Sequence, residues 1–260
     1  MITGLEDKVV LVTGGAGGIG EAICRAFSSE GSQVIVHYHN SFDNAQKISQ
    51  EINGYPINAD LTIKSETESM FEDIISKFGQ IDVCIANAGY YPPEQLPLWK
   101  IDPERWKETL SLNLDASFNT ARSFLEHAVS NQSGSLVFIG STAGIYGEAG
   151  HSDYAAAKGA ITSGLLMSLK NEVSGIGNIR INAISPGWTV TPKKLHSGID
   201  EQLIERATTT MSLKKLATPQ DVANAVVSIS SNRISGHITG QIIEVAGGME
   251  GRIIDYNFES

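Results

Sequence analysis

The stretch KVVLVTGGAGGIGEAICRAF, residues 8–27, decides the fold. An apolar, β-branched run leads into a turn that is rich in glycine between Gly14 and Gly20, and a helical pattern follows at once. Glycine permits positive φ angles and close approach of the backbone to a bound group, while the N-terminus of a helix offers free N–H groups and partial positive charge. The stretch therefore predicts a strand, a turn and a helix that bind the pyrophosphate of a dinucleotide. A tight connection with glycine for packing alone is the alternative.

Short apolar runs alternate with longer helical patterns along the chain. Because the runs are almost continuously apolar, they are typical of parallel strands that helices cover on both faces. We find no linker, low-complexity tract or repeat that would divide the chain. The sequence predicts an α/β fold in which residues 1–260 form a single doubly wound Rossmann-type domain, with a parallel sheet of about seven strands and helices on both faces. The six clearest strands are Lys8–Thr13, Gln33–Tyr38, Ile81–Ala86, Ser135–Gly140, Ile179–Ile184 and Gln241–Val245.

One segment that follows a predicted strand has no clear period. It runs from Ser185 to about Gly198, and a helical pattern from Asp200 to Met211 comes after it. Irregular segments of this length in compact domains are usually functional lids or disordered inserts. Its position favours a substrate lid at about residues 185–215.

Composition and charge disfavour several classes of protein. Nineteen Lys and Arg against 29 Asp and Glu give a net charge of -10 with no basic block, so neither nucleic acid nor a membrane surface is an expected partner. No apolar run approaches the roughly 20 residues that span a bilayer, and the N-terminal residues lack a secretory pattern; a cytoplasmic protein is expected. Cys24 and Cys84 lie in apolar stretches, and Cys and His show no metal-ligand spacing, so no metal is expected.

Tyr154 and Lys158 form a candidate acid/base pair. Four residues apart on a helix, they lie on one face roughly 5 to 6 Å from each other, and a neighbouring ammonium lowers the pKa of a tyrosine from about 10. Ser141 stands 13 residues before Tyr154, at the end of a predicted strand, where open α/β sheets bind ligands. Two hydroxyls that donate to one carbonyl oxygen polarise it for hydride attack. By themselves, Tyr154 and Lys158 could be an ordinary pair on a helix surface. The position of Ser141 favours a catalytic role for them instead.

The glycine spacing and several later motifs point to one family. The turn reads G-x-x-x-G-x-G, and further matches follow in order along nearly the whole chain. The chain resembles the shorter-chain branch of the short-chain dehydrogenase/reductase family, with its TGxxxGIG turn, NAG motif and Asn-Ser-Tyr-Lys tetrad. The resemblance is carried by Thr13, Gly14, Gly18, Ile19, Gly20, Asp60, Asn87, Ala88, Gly89, Asn113, Ser141, Tyr154, Lys158, Pro186, Gly187, Thr191, Thr239–Gln241 and Gly247–Gly248.

The resemblance also implies roles for the site residues. Asn113, Ser141, Tyr154 and Lys158 would be catalytic, with Asn113 kinking its helix and holding a water next to Lys158; a solvated helix position is the alternative for Asn113. Asp60 would accept from the adenine amine, although helix capping explains it equally well. The cofactor would be bound by Thr13, Gly14, Gly18, Ile19, Gly20, His39, Asn40, Asp60, Leu61, Asn87, Ala88, Gly89, Tyr154, Lys158, Pro186, Gly187, Thr189 and Thr191.

By position, a second set of residues would line the substrate pocket. They are Tyr90, Tyr91, Ile145, His151 and Trp188. Packing alone is an equal explanation for the aromatic ones.

The end of the second strand bears on the choice of cofactor. A preference for NAD usually needs a carboxylate there that accepts from the ribose 2′-hydroxyl, and no carboxylate occurs before Asp43. His39, Asn40 and Ser41 can donate to a 2′-phosphate. NADP(H) is therefore expected to be favoured; NAD(H) stays possible because no fixed cation is visible nearby.

These features predict an NAD(P)-dependent oxidoreductase that transfers a hydride between the nicotinamide and a small carbonyl or secondary alcohol, as in 3-oxoacyl, sugar or general carbonyl reductases. A non-catalytic dinucleotide sensor or scaffold on the same fold is the alternative. The net charge would repel an acidic acyl carrier protein, which disfavours that substrate type without excluding it. The resemblance and an apolar tail with Ile253, Ile254, Tyr256 and Phe258 predict a homotetramer, with a dimer still possible.

Overall fold

The sheet of the computed structural model, which describes residues 2–191 and 201–249, has seven parallel strands. Their spatial order is β3-β2-β1-β4-β5-β6-β7, so the predicted doubly wound α/β fold is confirmed. The strands are β1 (Val9–Val12), β2 (Gln33–Tyr38), β3 (Tyr55–Asn58), β4 (Val83–Ala86), β5 (Ser133–Ile139), β6 (Asn178–Pro186) and β7 (Ile242–Val245).

Helices connect the strands and cover both faces of the sheet. They are α1 (Gly18–Ser29), α2 (Phe42–Ile52), α3 (Lys64–Phe78), α4 (Pro103–Leu110), α5 (Ala116–Asn131), α6 (Ala143–Tyr146), α7 (Ser152–Gly159), α8 (Leu166–Glu172), α9 (Glu201–Thr208), α10 (Pro219–Ser230) and α11 (Asn232–Ser235). A π-helical turn, Ser111–Asp115, joins α4 to α5, and a second one, Ala160–Leu165, joins α7 to α8. None of the helices within the described ranges has the length and apolar character that crossing a membrane needs.

Two differences from the strands that the sequence pattern indicates affect the architecture. Strand β3 is absent from the six clear runs because it is short, partly exposed and contains Pro56, which an edge strand tolerates. Strand β6 continues through Ser185 and Pro186, which pair with β7, so the irregular segment begins only after Pro186. Most of that segment, 192–200, and the apolar tail, 250–260, lie outside the described residues.

The apolar core forms one layer on each face of the sheet. In β1, Val10 and Val12 pack on the face covered by α1, α2 and α10, whereas Val9 and Leu11 pack on the opposite face against α3 and α5. All four side chains are buried. Burial on both faces explains why these strands are apolar at every position.

The direction of strand order reverses between β1 and β4. This reversal is the topological switch point of the sheet. Strands β1 and β4 run parallel there, so their carboxyl ends open into one crevice. Thr13 joins the two sides, since its hydroxyl accepts hydrogen bonds from the backbone N–H groups of Asn87 and Ala88, 2.9 and 3.0 Å away. The fold therefore places the glycine turn beside the segment that follows β4.

Candidate active site

Two cavities that share Gly89 and Tyr90 lie at the carboxyl ends of the strands. The larger has a volume of about 380 Å³ and the smaller about 180 Å³. The predicted site residues around the larger cavity are Ile19, Asn87, Gly89, Tyr90, Tyr91, Asn113, Ser141, Tyr154, Lys158, Pro186, Gly187, Trp188, Thr189 and Thr191. Those around the smaller cavity are Gly14, His39, Asp60, Leu61, Ala88, Gly89 and Tyr90.

The glycine turn leaves room in front of helix α1. Gly14 has a φ of +62°, and a Cβ at Gly20 would collide with the carbonyl oxygen of Gly14, so neither position tolerates a side chain. Gly17 precedes the helix without any side-chain capping hydrogen bond. The turn is therefore a cradle of backbone groups, as binding of a pyrophosphate requires. Thr13, Gly18 and Gly20 lie behind it and shape it without lining either cavity.

A buried histidine holds this turn in place. In β2, Nδ1 of His37 accepts a hydrogen bond from the N–H of Gly14 at 3.0 Å, and Nε2–H donates to the carbonyl of Ala59, also at 3.0 Å. Burial lowers the pKa of His37 to about 4, so the imidazole is neutral, as these two hydrogen bonds need. Sequence reasoning missed this residue; the only available signal was a polar position in the apolar run VIVHY.

Ser141 and Tyr154 meet on the wall of the larger cavity. Ser141 follows β5, and Tyr154 lies in the first turn of α7. Burial raises the pKa of Tyr154 to about 12, while a hydrogen bond with Ser141 acts in the opposite direction. The phenol therefore retains its proton near neutral pH, and two hydroxyls face one cavity.

Lys158 lies one turn further along the same face of α7. Its ammonium donates to the carbonyl of Ile139 at 2.9 Å and stands 5.8 Å from the ring centre of Tyr154. Burial lowers the pKa of Lys158 to about 8. The sequence argument expected this charge to lower the pKa of Tyr154, but burial of the phenol has the larger effect.

Asn113 lies in the π-helical turn between α4 and α5 and is completely buried. Its amide nitrogen donates to the carbonyls of Tyr90 and Thr109, at 2.8 and 2.9 Å, and its oxygen accepts from the N–H of Tyr90. A Cβ at Gly89 would stand 2.7 Å from that oxygen and 3.3 Å from Nζ of Lys158. Asn113 thus fixes the segment after β4 against the lysine and is not a solvated position.

A buried ion pair supports the same region. Asp153, directly before Tyr154, accepts from Nε of Arg105 at 2.9 Å and from the hydroxyl of Thr109 at 3.1 Å. Burial favours a higher pKa for Asp153, but the hydrogen bonds, that of Arg105 first among them, outweigh it and leave the pKa below its usual range. The carboxylate is therefore charged and joins α4 to α7. Nothing in the sequence singled out this pair.

Only some of the residues expected to contact the adenosine half of a cofactor lie around the smaller cavity. Asp60, His39 and Leu61 line the smaller cavity, whereas Asn40 is exposed outside it because its loop turns away after β2. Asp60 also accepts from the N–H and hydroxyl of Thr62 and is not the N-cap of α3, which is Ile63. Its carboxylate lies 3.8 Å from Nε2 of His39. The sequence analysis did not predict this contact, because the two residues lie in different loops.

Two residues expected in the substrate pocket do not line the larger cavity. Ile145 is 38% exposed on the outer side of the short helix α6. His151 is buried behind Tyr91, whose ring stacks on it at 4.4 Å. Tyr90, Tyr91 and Trp188 do line the cavity, and Glu148 and Met249 line it without having been predicted.

Comparisons with known proteins establish the family. A family model described as enoyl-(acyl carrier protein) reductase matches residues 14–250, and the chain belongs to the short-chain dehydrogenase/reductase family. It is similar to the 3-oxoacyl-[acyl-carrier-protein] reductase FabG of Thermotoga maritima, at 32% identity over 94% of this chain and 98% of the relative. FabG of Staphylococcus aureus (strain Mu50) is 30% identical over 93% and 98%. The crystal structure of gox2181 shares the fold, with a TM-score of 0.89 at 22% identity over 95% and 97% of the two chains.

Family and fold together define the class of protein. The chain is an NAD(P)-dependent oxidoreductase that acts on C=O or CH–OH groups of a small-molecule substrate. The oxidoreductase is thereby confirmed over the alternative interpretation, a non-catalytic sensor or scaffold.

Proposed function

We propose that the protein reduces a small carbonyl compound with NADPH and that Tyr154 supplies the proton. The observation that carries this proposal is that Ser141, Tyr154 and Lys158 line one cavity, together with a raised tyrosine pKa. A phenol that keeps its proton suits the reducing direction, in which the substrate oxygen must be protonated.

The side chains divide the work as follows. The nicotinamide, when bound, supplies the hydride that the carbonyl carbon accepts. Ser141 and Tyr154 both donate hydrogen bonds to the carbonyl oxygen, which stabilises the negative charge that develops there. The Tyr154 O–H bond then breaks and the new alcohol O–H bond forms, while the Lys158 ammonium favours the resulting phenolate. Asn113 is a positioning residue, because its hydrogen bonds fix the backbone of Tyr90 in the segment that passes Lys158.

The residues present fit a dinucleotide. At Gly14 and Gly20 the glycine turn has no room for side chains, so only its backbone groups can face a bound pyrophosphate. The smaller cavity extends to Asp60 at the far end of the crevice. NADPH is proposed over NADH because the loop after β2 offers His39 and Ser41 but no carboxylate of its own. The Asp60 carboxylate lies 3.8 Å from Nε2 of His39 and would repel a 2′-phosphate bound by that histidine, so the preference should be modest.

Replacement of Tyr154 by Phe tests the proton-donor role. The ring stays and the hydroxyl goes, so we expect kcat to fall on the order of 10²-fold or more with little change in the Kd for NADPH. Steady-state oxidation of NADPH with a ketone panel measures kcat, and fluorescence titration measures Kd. Tyr55→Phe, in edge strand β3 and outside both cavities, is the matched control and should behave as the wild type.

The outcomes separate the two functional classes. More than half of the wild-type activity in Tyr154→Phe would remove this residue from the proton transfer. A wild-type protein that binds NADPH but reduces none of the carbonyl compounds would favour the sensor.

Replacement of His39 by Asp tests the cofactor preference. A carboxylate at this position repels a 2′-phosphate and accepts from a 2′-hydroxyl, so the ratio of kcat/KM for NADPH to that for NADH should fall at least tenfold. His237→Asp introduces the same charge at an exposed position and should leave the ratio unchanged. A wild-type ratio that favours NADH tenfold would overturn the assignment.

A further inference from the structure

The larger cavity carries an unassigned carboxylate. Glu148 lies in the loop between α6 and α7, directly after Gly147, and lines the cavity. Of the residues that the structure describes around this cavity, only Glu148 and Lys158 are charged. Lys158 is buried and bonded to the carbonyl of Ile139, so the charge open to a substrate is negative.

Tyr91 holds Glu148 beside the proposed proton donor. Its hydroxyl donates to Oε1 of Glu148 at 2.6 Å, and its ring meets the ring of Tyr154 edge to face with 5.0 Å between centres. The charge of Glu148 is near enough to raise the pKa of Tyr154. Through Tyr91, the carboxylate is thus held in the same cavity as the hydroxyl of Tyr154.

His151 supports Tyr91 from behind. Its Nε2–H donates to the carbonyl of Pro92 at 3.1 Å, and its Nδ1 lies 3.2 Å from the oxygen of Tyr91, whose one proton is donated to Glu148. The imidazole is buried, and it stacks on the Tyr91 ring. The stacked imidazole therefore packs against the Tyr91 ring whose hydroxyl bonds Glu148.

A carboxylate offers about four acceptor positions, and Tyr91 occupies one. The remaining lone pairs suit a hydroxyl or ammonium group on the substrate and are unfavourable for a phosphate or carboxylate. Such discrimination combines attraction with repulsion, as specific sites generally do.

We propose that Glu148 selects the substrate, which carries a hydrogen-bond donor, a hydroxyl or an ammonium, on the carbon next to the reacting carbonyl. This inference rests on the proposed function, because it takes Tyr154 as the proton donor. It places small hydroxylated or amino ketones above acyl groups on an anionic carrier.

Matched small ketones test the proposal with the full chain and NADPH. Butanone, hydroxyacetone and aminoacetone differ in one terminal group, and acetoacetate adds a negative charge. Wild-type kcat/KM should be at least tenfold higher for hydroxyacetone or aminoacetone than for butanone, and lowest for acetoacetate. The comparison of the two donors distinguishes a neutral hydroxyl from an ammonium.

In Glu148→Gln, the preference for the donor-bearing ketone over butanone should fall at least tenfold, and in Tyr91→Phe it should fall in part because the carboxylate loses its hydrogen bond. Glu94→Gln makes the same change at an exposed loop position and should keep the wild-type ratio. Thermal melts establish that each variant is folded.

An unchanged ratio in Glu148→Gln, or a wild-type preference for butanone or acetoacetate, would overturn the role of Glu148 while leaving the proposed reductase intact. Failure of the wild type on all four ketones and on an acetoacetyl thioester would overturn both.

Discussion

At the scale of single residues, His37 couples the stability of the fold to the integrity of the glycine turn. Its neutral ring accepts from Gly14 and donates to Ala59, so protonation would destroy the first of these hydrogen bonds. The pKa is 6.5 for an ordinary histidine and about 4 here. Between these values the unfolded chain binds a proton and the folded chain does not.

The protein should therefore become less stable as the pH falls from 6.5 toward 4. The contribution of His37 to the free energy of unfolding should decrease by about 2 kcal/mol between pH 7 and pH 5. Urea denaturation at both pH values measures it. In His37→Asn this part of the pH dependence should vanish, whereas His237→Asn, at an exposed histidine, should retain it. Equal pH dependence in wild type and His37→Asn would refute the coupling.

The sequence pattern and the family resemblance together predicted the members of the proposed catalytic set, which line one cavity in the structure. Ser141 and Tyr154 follow from the order of strand and helix, and the structure brings them together. His37 and Glu148 could not be predicted in this way. Each owes its position to a partner more than 20 residues away, and neither residue type is unusual in a strand or a loop.

At the scale of helices, the Arg105–Asp153 pair joins α4 to α7. The Asp153 side chain is fully buried and that of Arg105 is 13% exposed, so solvent screens neither strongly. Removal of one partner leaves the other charged and desolvated, which usually costs about 3 to 5 kcal/mol. Because Tyr154 follows Asp153 directly, the same contact positions the first turn of α7.

Asp153→Asn should lower the free energy of unfolding by about 3 kcal/mol in urea titrations. Arg105→Met combined with Asp153→Asn should lose less than the sum of the two single losses, because both charges are then gone. A double-mutant cycle measures this coupling, and Lys8→Met with Asp82→Asn, a more exposed pair, serves as the comparison. A change under about 0.5 kcal/mol in the free energy of unfolding of Asp153→Asn would show that the Arg105–Asp153 pair contributes little to stability.

Element types were predictable where the period was strong, and boundaries were not. Strand β3 was not among the strands that the pattern indicated, because Pro56 interrupts an already short apolar run. Its position at the edge of the sheet explains how it pairs with β2 nevertheless. The family resemblance implied a kink at Asn113, within the π-helical turn Ser111–Asp115, whereas nothing in the sequence indicated the turn at Ala160–Leu165. The first of these turns carries long-range contacts, the hydrogen bonds of Asn113 with the backbone of Tyr90.

At the scale of the whole molecule, the surface bears on self-association. Helix α5 exposes Phe118 at 50% and Val129 at 38%, and their spacing of about three helical turns places both on one side of the helix. The tail that suggested a tetramer lies outside the described residues, so α5 offers an independent argument.

We expect light scattering at micromolar concentration to report a mass near four times the 27.8 kDa of the chain. Phe118→Glu should shift the mass downward while the circular dichroism spectrum keeps its shape, because the side chain is not part of the core. Phe42→Glu, exposed to the same degree on α2, is the control. A wild-type mass of one chain would refute association.

The place of β1 in the sheet has a consequence for synthesis. The ribosome releases β1, β2 and β3 within the first 58 residues, whereas β4, the other neighbour of β1, begins only at Val83. Until then the nascent chain presents one unpaired edge of its most apolar strand, and such an edge invites pairing with other chains. The switch point between β1 and β4, where the crevice later opens, is thus an unpaired strand edge while the polypeptide grows.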